Sequence, residues 1–414
     1  MVKIVRSDDM RHHNRELILS AIRRSQTVSR TEISAQTKLS AATVSAITSD
    51  LLEENILSRV DPASTEPQDR STTGRGRPKV SLGINGRAAT VCAVYFQLDF
   101  VSASIFDYAG NHVSVFAIEV STKEITSSEI RTAVISCIQG ALDRANSDLQ
   151  TLRHIELGFQ GVTDVAGQHV LWTPICAASN IPIKNWLESH FGVSAHVAND
   201  CDLISQALNW RDPVKYGENF ATVLLAHGVG MGLFLRGGII NGTRSSGVEF
   251  GHMSYMPDGA LCRCGNFGCI EAYAGDYAIC RRAKGQDNTV SPSGVMELPD
   301  LAAVLVAAKN NDPNAIAAIN EAGAAIGTGL ASLFAIVDRF PIVLVGRGAT
   351  LFELMEPSIR NALESAPGDS PLNDVEIECF ADERPLVREG CSIRALMAMD
   401  KEVAGRRHTK EAAE

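Results

Sequence analysis

The chain contains the run Gly251-His-Met-Ser-Tyr-Met-Pro-Asp-Gly-Ala-Leu-Cys-Arg-Cys-Gly-Asn-Phe-Gly-Cys-Ile-Glu271, in which one histidine and three cysteines lie within eighteen residues. These four residues are His252, Cys262, Cys264 and Cys269. One imidazole and three thiolates form a complete ligand set for tetrahedral zinc, with no position left open for water. The alternative is three reduced structural cysteines near an unrelated histidine, but a polar, glycine-rich loop makes a poor core segment. The sequence therefore predicts a closed zinc site that contributes directly to folding.

The same run, extended back to Glu249, resembles the signature of the ROK family (repressors, open reading frames and kinases). The resemblance rests on Glu249-Phe-Gly-His252 followed by Cys-x-Cys-Gly-x-x-Gly-Cys-x-Glu271. It implies a two-lobed ribonuclease-H-like α/β body, similar to actin-like ATPases, with a sugar bound between the lobes. The family contains both sugar kinases and sugar-responsive repressors, so other parts of the chain must distinguish these two functions.

Composition limits the class of protein. A chain of 414 residues is expected to form two or three domains. No apolar run reaches the length of a membrane span, and the N-terminus lacks the apolar core of a signal peptide. The ten scattered cysteines indicate reduced thiols plus a metal site, and not a disulfide framework. We therefore expect a cytoplasmic protein with no membrane partner.

Charge is distributed unevenly along the chain. The net charge of −10 by itself argues against nucleic acid as a partner. Residues 1–80, however, hold 13 Lys and Arg against 10 Asp and Glu, whereas the remainder holds 25 against 38. A basic N-terminal module attached to an acidic body is consistent with DNA contact at one end of the protein.

The N-terminal module has the pattern of a helix-turn-helix. Apolar periodicity predicts a helix over 14–25, a short helix over 31–37 and a third helix over 41–54. Ser40 is a good N-cap for the third helix. Small polar side chains near the start of that helix would allow it to enter the major groove. The predicted DNA-contacting residues of this helix are Ser40, Thr43, Ser45 and Thr48.

Two strands are predicted after the third helix, at 55–60 and 80–84, with a polar loop between them that ends Gly74-Arg-Gly-Arg-Pro-Lys79. This pattern indicates a winged helix-turn-helix, in which Arg75 and Arg77 would enter the minor groove. The module also resembles the DNA-binding heads of ROK repressors, which the ROK kinases lack. The alternatives are a helical protein-docking domain for the module and a solvated linker for the arginine-containing loop.

The body alternates strands and helices, which predicts an α/β fold in two lobes. The predicted domains are the winged helix-turn-helix head (1–84), a first lobe (85–195) against which the C-terminal helix (392–414) packs, and a second lobe with the zinc loop (196–391). The predicted body strands are 89–98, 101–107, 154–159, 193–198, 220–226, 230–236 and 341–345, and the predicted helices are 127–145, 202–209, 315–337 and 392–403.

The phosphate-binding loop distinguishes a kinase from a repressor. The resemblance implies that ROK kinases begin the first lobe with a strand ending Asp-x-Gly-Gly-Thr, where backbone amides approach ATP and the Asp helps to hold magnesium. The matching stretch here is Tyr95-Phe96-Gln97-Leu98-Asp99. Its bulky side chains are expected to occupy the space for phosphates. The glycine-containing segments 227–232 and 345–348 are weak signals, so we expect ATP binding to be lost and the chain not to be an enzyme.

The predicted sugar pocket retains the polar residues that the resemblance implies. They are Asn199, Asp200, Glu249, His252 and Glu271, with Gly161, Thr173 and Asn180 as weaker candidates. In the kinases the Asp that matches Asp200 is a general base that takes the proton from the attacking sugar hydroxyl. Here Asp200 would only form a hydrogen bond to that hydroxyl. The imidazole would bind zinc through one nitrogen and face the sugar with the other, so that zinc would be a scaffold. The alternative for Asn199-Asp200 is a turn or helix cap.

These features together predict a sugar-responsive transcriptional regulator, most simply a repressor. It would bind a palindromic operator as a homodimer or homotetramer and respond to a monosaccharide or amino sugar. Two alternatives remain open, namely an active sugar kinase with an appended head and a repressor regulated by a protein partner.

Overall fold

The computed structural model describes residues 7–60, 81–122, 124–146, 149–289, 300–364 and 375–405. The predicted wing loop, including Arg75 and Arg77, lies outside the described residues.

The N-terminal head has the predicted order of helices and strands. Its elements are α1 (Ser7–Ser25), β1 (Val28–Ser29), α2 (Arg30–Thr37), α3 (Ala41–Glu53), β2 (Leu57–Val60) and β3 (Ser81–Ile84). The strands form an antiparallel sheet in the order β1-β3-β2. Ser29 begins α2 with a capping box to Glu32, and Ser40 begins α3 by accepting a hydrogen bond from the Thr43 amide. Helix α1 begins seven residues before the predicted position.

The first lobe contains a five-stranded sheet in the order β10-β7-β4-β5-β6. Its strands are β4 (Thr90–Phe96), β5 (Phe100–Asp107), β6 (His112–Glu119), β7 (Leu152–Phe159) and β10 (Ser194–Asn199), and a small hairpin joins β8 (Val162–Thr163) to β9 (Val170–Trp172). Strands β4, β5 and β6 are antiparallel, whereas β4, β7 and β10 are parallel. The lobe's helices are α4 (Ser127–Ala145), at its predicted bounds, and α5 (Ile183–Phe191). Strand β6 and helix α5 were not predicted.

The second lobe repeats this topology in a sheet ordered β13-β12-β11-β14-β15. Its strands are β11 (Phe220–Leu225), β12 (Val229–Leu235), β13 (Gly238–Ile239), β14 (Ile342–Val345) and β15 (Ile377–Phe380). Its helices are α7 (Glu271–Ala274), α8 (Asp276–Ala283), α9 (Leu301–Lys309), α10 (Pro313–Phe334) and α11 (Phe352–Glu364). Each sheet therefore has an antiparallel meander followed by two parallel strands, and the two sheets carry the lobes on either side of a cleft.

Two further helices complete the body. Helix α6 (Asp200–Arg211) follows β10, and α12 (Arg384–Gly405) packs against α6, β4 and β7. The first sheet thus continues to Asn199, four residues beyond the predicted lobe boundary. Helix α12 begins eight residues before the predicted helix, because Pro385 lies in its first turn, where proline is tolerated.

Helix α10 requires a correction to the expectation that no apolar run reaches the length of a membrane span. By length and composition alone, α10 is long and apolar enough to cross a membrane. However, 56% of its most apolar stretch is buried inside the protein. A Cβ on Gly323 or Gly327 would lie 2.6 or 2.5 Å from carbonyl oxygens of α11. The small residues therefore serve close packing of two helices in the core of the second lobe.

Candidate functional site

A cleft between the lobes brings together all five predicted sugar-binding residues. It is a concave site that is lined by both polar and apolar groups, as small-molecule sites usually are. Its lining includes Asn199, Asp200, Glu249, His252 and Glu271, together with Gln160, Gly161, Trp172 and Ser246. The cleft thus combines carboxylates, amides and a hydroxyl with an indole ring, which suits a compact ligand that has many hydroxyl groups.

Asn199 is held at the junction between β10 and α6. Its Oδ1 accepts hydrogen bonds from the amides of Cys201 (2.8 Å) and Asp202 (3.3 Å), so it is the N-cap of α6. Its Nδ2 donates to the carbonyl oxygen of Gly161 at 2.7 Å. The helix-cap interpretation is therefore correct for this residue. The second hydrogen on Nδ2 remains available for a ligand.

Asp200 lies at the deep end of the cleft and is only 2% exposed. The Tyr95 hydroxyl approaches its carboxylate at 3.5 Å, which is a long hydrogen bond. Burial raises the pKa of Asp200 to about 7, the Cys201 amide lowers it, and the nearby carboxylate of Glu383 raises it further. Near neutral pH this carboxyl group therefore exists in both forms, so it can accept from a ligand hydroxyl or donate to one.

The predicted metal ligands form a compact cluster. The ligand atoms of His252, Cys262, Cys264 and Cys269 all lie within 4.8 Å of one another. His252 Nδ1 is 3.7 Å from Cys262 Sγ, and the Sγ atoms of Cys264 and Cys269 are also 3.7 Å apart. A tetrahedral zinc ion with Zn–S bonds of about 2.3 Å would hold two sulfurs about 3.8 Å apart. The donor set and its spacing therefore fit a tetrahedral metal ion.

Glycines shape the backbone around these thiols. Gly265 and Gly268 have φ values of +88° and +80°, a region that side-chain-bearing residues rarely adopt. A Cβ on Gly268 would lie 1.8 Å from the carbonyl oxygen of Met256. The amide of Gly265 donates to the Cys262 carbonyl oxygen, which closes the turn between two cysteines. The glycine spacing in the sequence therefore reflects the backbone turns that bring the sulfur atoms together.

His252 connects the metal cluster to the cleft. While Nδ1 faces the thiols, Nε2 lies 3.7 Å from a carboxylate oxygen of Glu249. The Trp172 ring meets the imidazole edge-to-face, with centroids 6.2 Å apart. One ring nitrogen is therefore placed for a metal ion and the other for the cleft.

Glu271 makes a second connection between the cleft and the loop that carries Cys262, Cys264 and Cys269. Its Oε2 accepts a hydrogen bond from the Val229 amide at 3.3 Å. Its Oε1 accepts from the Tyr277 hydroxyl at 3.4 Å and lies 3.6 Å from Cys262 Sγ. The carboxylate is buried, so its position depends on the loop that holds the thiols.

The stretch that replaces the kinase phosphate loop borders a second cavity next to the cleft. Tyr95 near the end of β4, and Gln97 and Asp99 in the turn between β4 and β5, line this cavity. Leu98, in contrast, points away and packs in the core of the first lobe. The expectation that Leu98 fills the phosphate space is therefore wrong, because the turn between β4 and β5 places its apolar side chain in the core of the first lobe.

The second cavity carries charged groups of both signs, with more carboxylates than guanidinium groups. Its wall carries the carboxylates of Asp99, Asp382 and Glu383 and the guanidinium groups of Arg347 and Arg384. Arg384 donates to Asp382 at 2.7 Å, and Arg347 forms an ion pair with the buried Asp276 of α8. The guanidinium groups that line the cavity are thus already bound to carboxylates.

The weaker candidates have different positions. Gly161 lines the cleft, and a Cβ there would lie 2.4 Å from the carbonyl oxygen of Trp172. Thr173 is buried outside the lining, and its hydroxyl donates to the Gln160 carbonyl oxygen at 2.7 Å. Asn180 is exposed and also outside the lining, with φ of +51°. Sequence reasoning missed Trp172, although a tryptophan two residues before Pro174 was a usable signal.

The outer surface of α3 differs from the prediction at one residue. Ser45 is exposed, Thr43 is half-buried, and Ser40 uses its hydroxyl to cap the helix. Thr48 is fully buried, so its predicted role as a DNA contact is wrong. Its hydroxyl donates to the Val44 carbonyl oxygen at 2.8 Å and accepts from Arg30 Nε at 2.7 Å. Position 48 shares the inward stripe of 44 and 51, since residues four and seven apart lie on one helix face.

Comparison with known proteins gives a consistent family. The family model described as "ROK family" matches residues 102–381. The xylose repressor of Bacillus spizizenii is 24% identical over 390 residues, which cover 89% of this chain and 96% of the relative. The DNA-binding transcriptional dual regulator NagC of Escherichia coli K12 is 25% identical over 371 residues, with 87% of this chain and 84% of the relative covered.

Solved structures share the fold. A ROK family transcriptional regulator, a homolog of the E. coli MLC protein, has a TM-score of 0.77 and 20% identity, covering 96% of this chain and 99% of its own. A ROK family glucokinase from Streptomyces griseus, in complex with glucose and AMPPNP, has a TM-score of 0.60 and 22% identity, covering 74% and 99%. The difference in coverage, 22% of 414 residues, is close to the length of the N-terminal head.

Proposed function

The chain belongs to the ROK family, and from this membership we propose that it is a sugar-responsive, DNA-binding transcriptional regulator, namely a repressor. One observation carries the proposal: the head and the cleft that gathers Asn199, Asp200, Glu249, His252 and Glu271 belong to the same chain. A head that contacts DNA and a body that binds sugar are the two parts that such a regulator requires. The similarity to proteins named as repressors over nearly the whole chain supports this assignment.

The effector is a monosaccharide or amino sugar in the interlobe cleft. The carboxylates of Asp200, Glu249 and Glu271 accept from ligand hydroxyls, and the Asn199 amide donates. Trp172 offers an apolar ring face on which the carbon skeleton of a sugar packs. Some relatives of this chain are named xylose repressor, and others are named N-acetylglucosamine repressor. Xylose and N-acetylglucosamine are therefore the first sugars to test.

The His252, Cys262, Cys264 and Cys269 cluster holds zinc in this proposal. The ion would bind three thiolates and Nδ1 of the imidazole, with no open position, and would supply structural cross-linking of the loop. The chain's own residues then do the recognition: the imidazole presents Nε2 to the cleft, and Glu271 stays fixed between the loop and Val229.

We assign no kinase activity to the chain. Asp200 occupies the position of the kinase base, but Tyr95 and Gln97 stand where the family resemblance requires an acidic residue and a glycine. Carboxylates on the cavity wall repel a triphosphate, and Arg347 and Arg384 are engaged by their own acidic partners. These features favour a cleft that recognises sugar without transferring a phosphoryl group to it.

The head would bind operator DNA in the cytoplasm as part of a homodimer or homotetramer. The small side chains of the half-buried Thr43 and the exposed Ser45 allow α3 to approach base edges, with Ser40 at its N-terminus. Arg75 and Arg77 remain proposed minor-groove contacts of the loop between β2 and β3. An even oligomer matches two heads to two operator half-sites.

The proposal is tested with purified full-length protein. A duplex bound by the protein is first selected from a random-sequence pool, and its affinity is then measured with xylose, glucose and N-acetylglucosamine. The expected result is sequence-specific binding whose Kd changes with one sugar. Failure to select any sequence would refute DNA regulation, and ATP-dependent turnover of the sugar in a coupled assay would favour the kinase instead. Binding to DNA without any sugar effect would favour regulation by a protein partner.

A further inference from the structure

Helix α12 spans the distance between the effector cleft and the head. Its 22 residues make a rod of about 33 Å at ~1.5 Å per residue. Arg384 at its first turn lines the cavity next to Tyr95, and Val403 near its end accepts a hydrogen bond from Arg15 of α1 at 3.2 Å. The same helix therefore touches the wall of the second cavity, next to the cleft, and the N-terminal head.

The middle of α12 is fixed to α6, the helix whose first residue is Asp200. A Cβ on Gly390 would lie 2.1 Å from the carbonyl oxygen of Leu203, so the two backbones are in direct contact. Cys391 is fully buried and donates its thiol to the carbonyl oxygen of Val94. Close-packed interiors transmit displacement because they have little room to deform. The first residue of α6, Asp200, is therefore connected to α12 through direct backbone packing.

The far half of α12 meets the head through a buried polar cluster, which we call the head–body joint: Arg23 of α1, Tyr108 after β5, and Asp400 of α12. Arg23 donates from two nitrogens to the two oxygens of Asp400, both at 2.8 Å. A third nitrogen donates to the Tyr108 carbonyl oxygen at 2.8 Å, and the Tyr108 hydroxyl donates to Asp400 at 2.7 Å. All three residues are at least nine-tenths buried.

The geometry of the head–body joint restricts orientation as well as distance. A two-pronged arginine–carboxylate pair fixes the plane of both groups, and the guanidinium also lies 4.9 Å from the centre of the Tyr108 ring. Both charged groups are removed from water. Breaking the pair would leave each charge buried without a partner, which is strongly unfavourable. The head is therefore held to the body in one defined orientation.

Arg15 extends this connection to the helix proposed to bind DNA. It is 2% exposed, and its guanidinium donates to both carboxylate oxygens of Glu54, the C-cap of α3, at 3.0 and 2.6 Å. The same guanidinium donates to the Val403 carbonyl oxygen of α12. The end of α12 is thus linked to α1 by Arg23 and to the end of α3 by Arg15.

We propose that α12 transmits occupancy of the sugar cleft to the head, and that Arg23, Tyr108 and Asp400 are the positioning residues that couple the two. This inference rests on the proposed function and names the contacts through which its regulation acts. A sugar that favours one arrangement of the lobes would shift the orientation of the head only as far as it binds that arrangement more tightly.

The test compares Asp400→Asn with a matched change on the same helix, Glu389→Gln. The partner of Glu389 is Arg211 of α6, so this pair joins α12 to the body and not to the head. Circular dichroism and thermal unfolding establish that each variant is folded. Tyr108→Phe removes only one hydroxyl from the head–body joint, and it serves as a second variant if Asp400→Asn does not fold.

The first readout needs no sugar. Duplex pools with varied distances between half-sites are selected by each protein. The wild type and Glu389→Gln are expected to prefer one spacing, whereas Asp400→Asn accepts a wider range because its heads are no longer oriented. A residue that merely adds stability would leave this preference unchanged in a folded variant.

The second readout is the ratio of operator Kd values with and without the sugar, using xylose, glucose and N-acetylglucosamine as probes. Couplings of this kind span ~5–150-fold, and the ratio for Asp400→Asn is expected to fall toward 1 while calorimetry shows that it still binds the sugar. If wild type selects a site and Asp400→Asn matches it in spacing and ratio, the inference is overturned and the proposed function stands. If wild type selects no sequence at all, the proposed function fails, and the inference fails with it.

Discussion

Loss of the metal site is expected to abolish sugar binding, although no thiol of the cluster is proposed to touch the sugar. The perturbation is Cys264→Ser, which replaces one soft ligand with a poor one. The hydrophobic residues packed around the cluster are few, chiefly Ala260, Ala272 and the partly buried Tyr273, so burial alone contributes little to holding the loop. Without the ion, the loop that positions His252 and Glu271 is expected to lose its structure.

The magnitude follows from the contacts that would be lost. His252 and Glu271 each offer at least one hydrogen bond to a sugar hydroxyl, and hydrogen bonds to charged groups contribute about 1.5–3 kcal/mol each. Two such contacts amount to about 3–6 kcal/mol. Since about 1.4 kcal/mol corresponds to a tenfold change in Kd, the sugar affinity should fall by roughly 10²–10⁴-fold.

The assay is calorimetric titration of the probe sugar into wild type, Cys264→Ser and the control Cys379→Ser. Cys379 is an exposed thiol on β15 outside the cluster, so its loss should change neither metal content nor sugar affinity. Metal content is measured in parallel by elemental analysis, and the wild type is expected to hold one zinc ion per chain. A metal-free variant that binds the sugar as tightly as wild type would refute the reasoning.

Three further predictions concern the cleft and the head. Asp200 has a pKa of about 7 in the folded protein against about 3.9 in an unfolded chain, so its contribution to stability is present below about pH 4 and is lost as pH rises through about 7. The free energy of unfolding of Asp200→Asn and of wild type is measured in urea at pH 4 and at pH 8. The value for the variant minus that for wild type should be larger at pH 8 by up to ~4 kcal/mol. The same difference at both pH values would contradict this prediction. Ser45→Glu places a carboxylate on the proposed DNA surface and should abolish operator binding in a fluorescence anisotropy assay, while the same change at exposed Ser128 of α4 should not. Trp172→Ala should weaken the probe sugar by ~1 kcal/mol or more in calorimetry, and unchanged affinity would exclude a contact with the indole.

Local patterns in the sequence predicted most elements of the fold. Helix α4 and the cap Ser40 followed from apolar periodicity and capping residues, which act within a few positions of one another. Strand β6 was missed because it is an edge strand, with Val113 and Val115 exposed, so its alternation of apolar and polar residues is weak. The burial of Thr48 was missed because a hydroxyl can hydrogen-bond within its own helix, and polarity alone does not show which way it faces.

Part of the candidate site was also predictable from local sequence patterns, whereas the rest depends on residues that are distant in the sequence. The metal cluster was predictable because its ligands lie within eighteen residues, where ligand type and glycine spacing are local properties. The convergence of Asn199 with Glu249 and Glu271 came from family resemblance, since they lie on separate elements of the fold. The directions of the Gln97 and Leu98 side chains became clear only in the three-dimensional structure, which places these residues in the turn between β4 and β5.

The sequence by itself indicated the cluster of one histidine and three cysteines, the helices and strands of the head, and the alternation of elements in the body. Only the tertiary structure decided which cavity each polar residue faces and which buried charges meet. The pair of Arg23 and Asp400 is separated by 377 positions, and no local pattern connects them. Their contact exists because the strands of the first lobe and helix α6 position α12 against α1, and it is the packing of whole elements that brings distant charges out of water together.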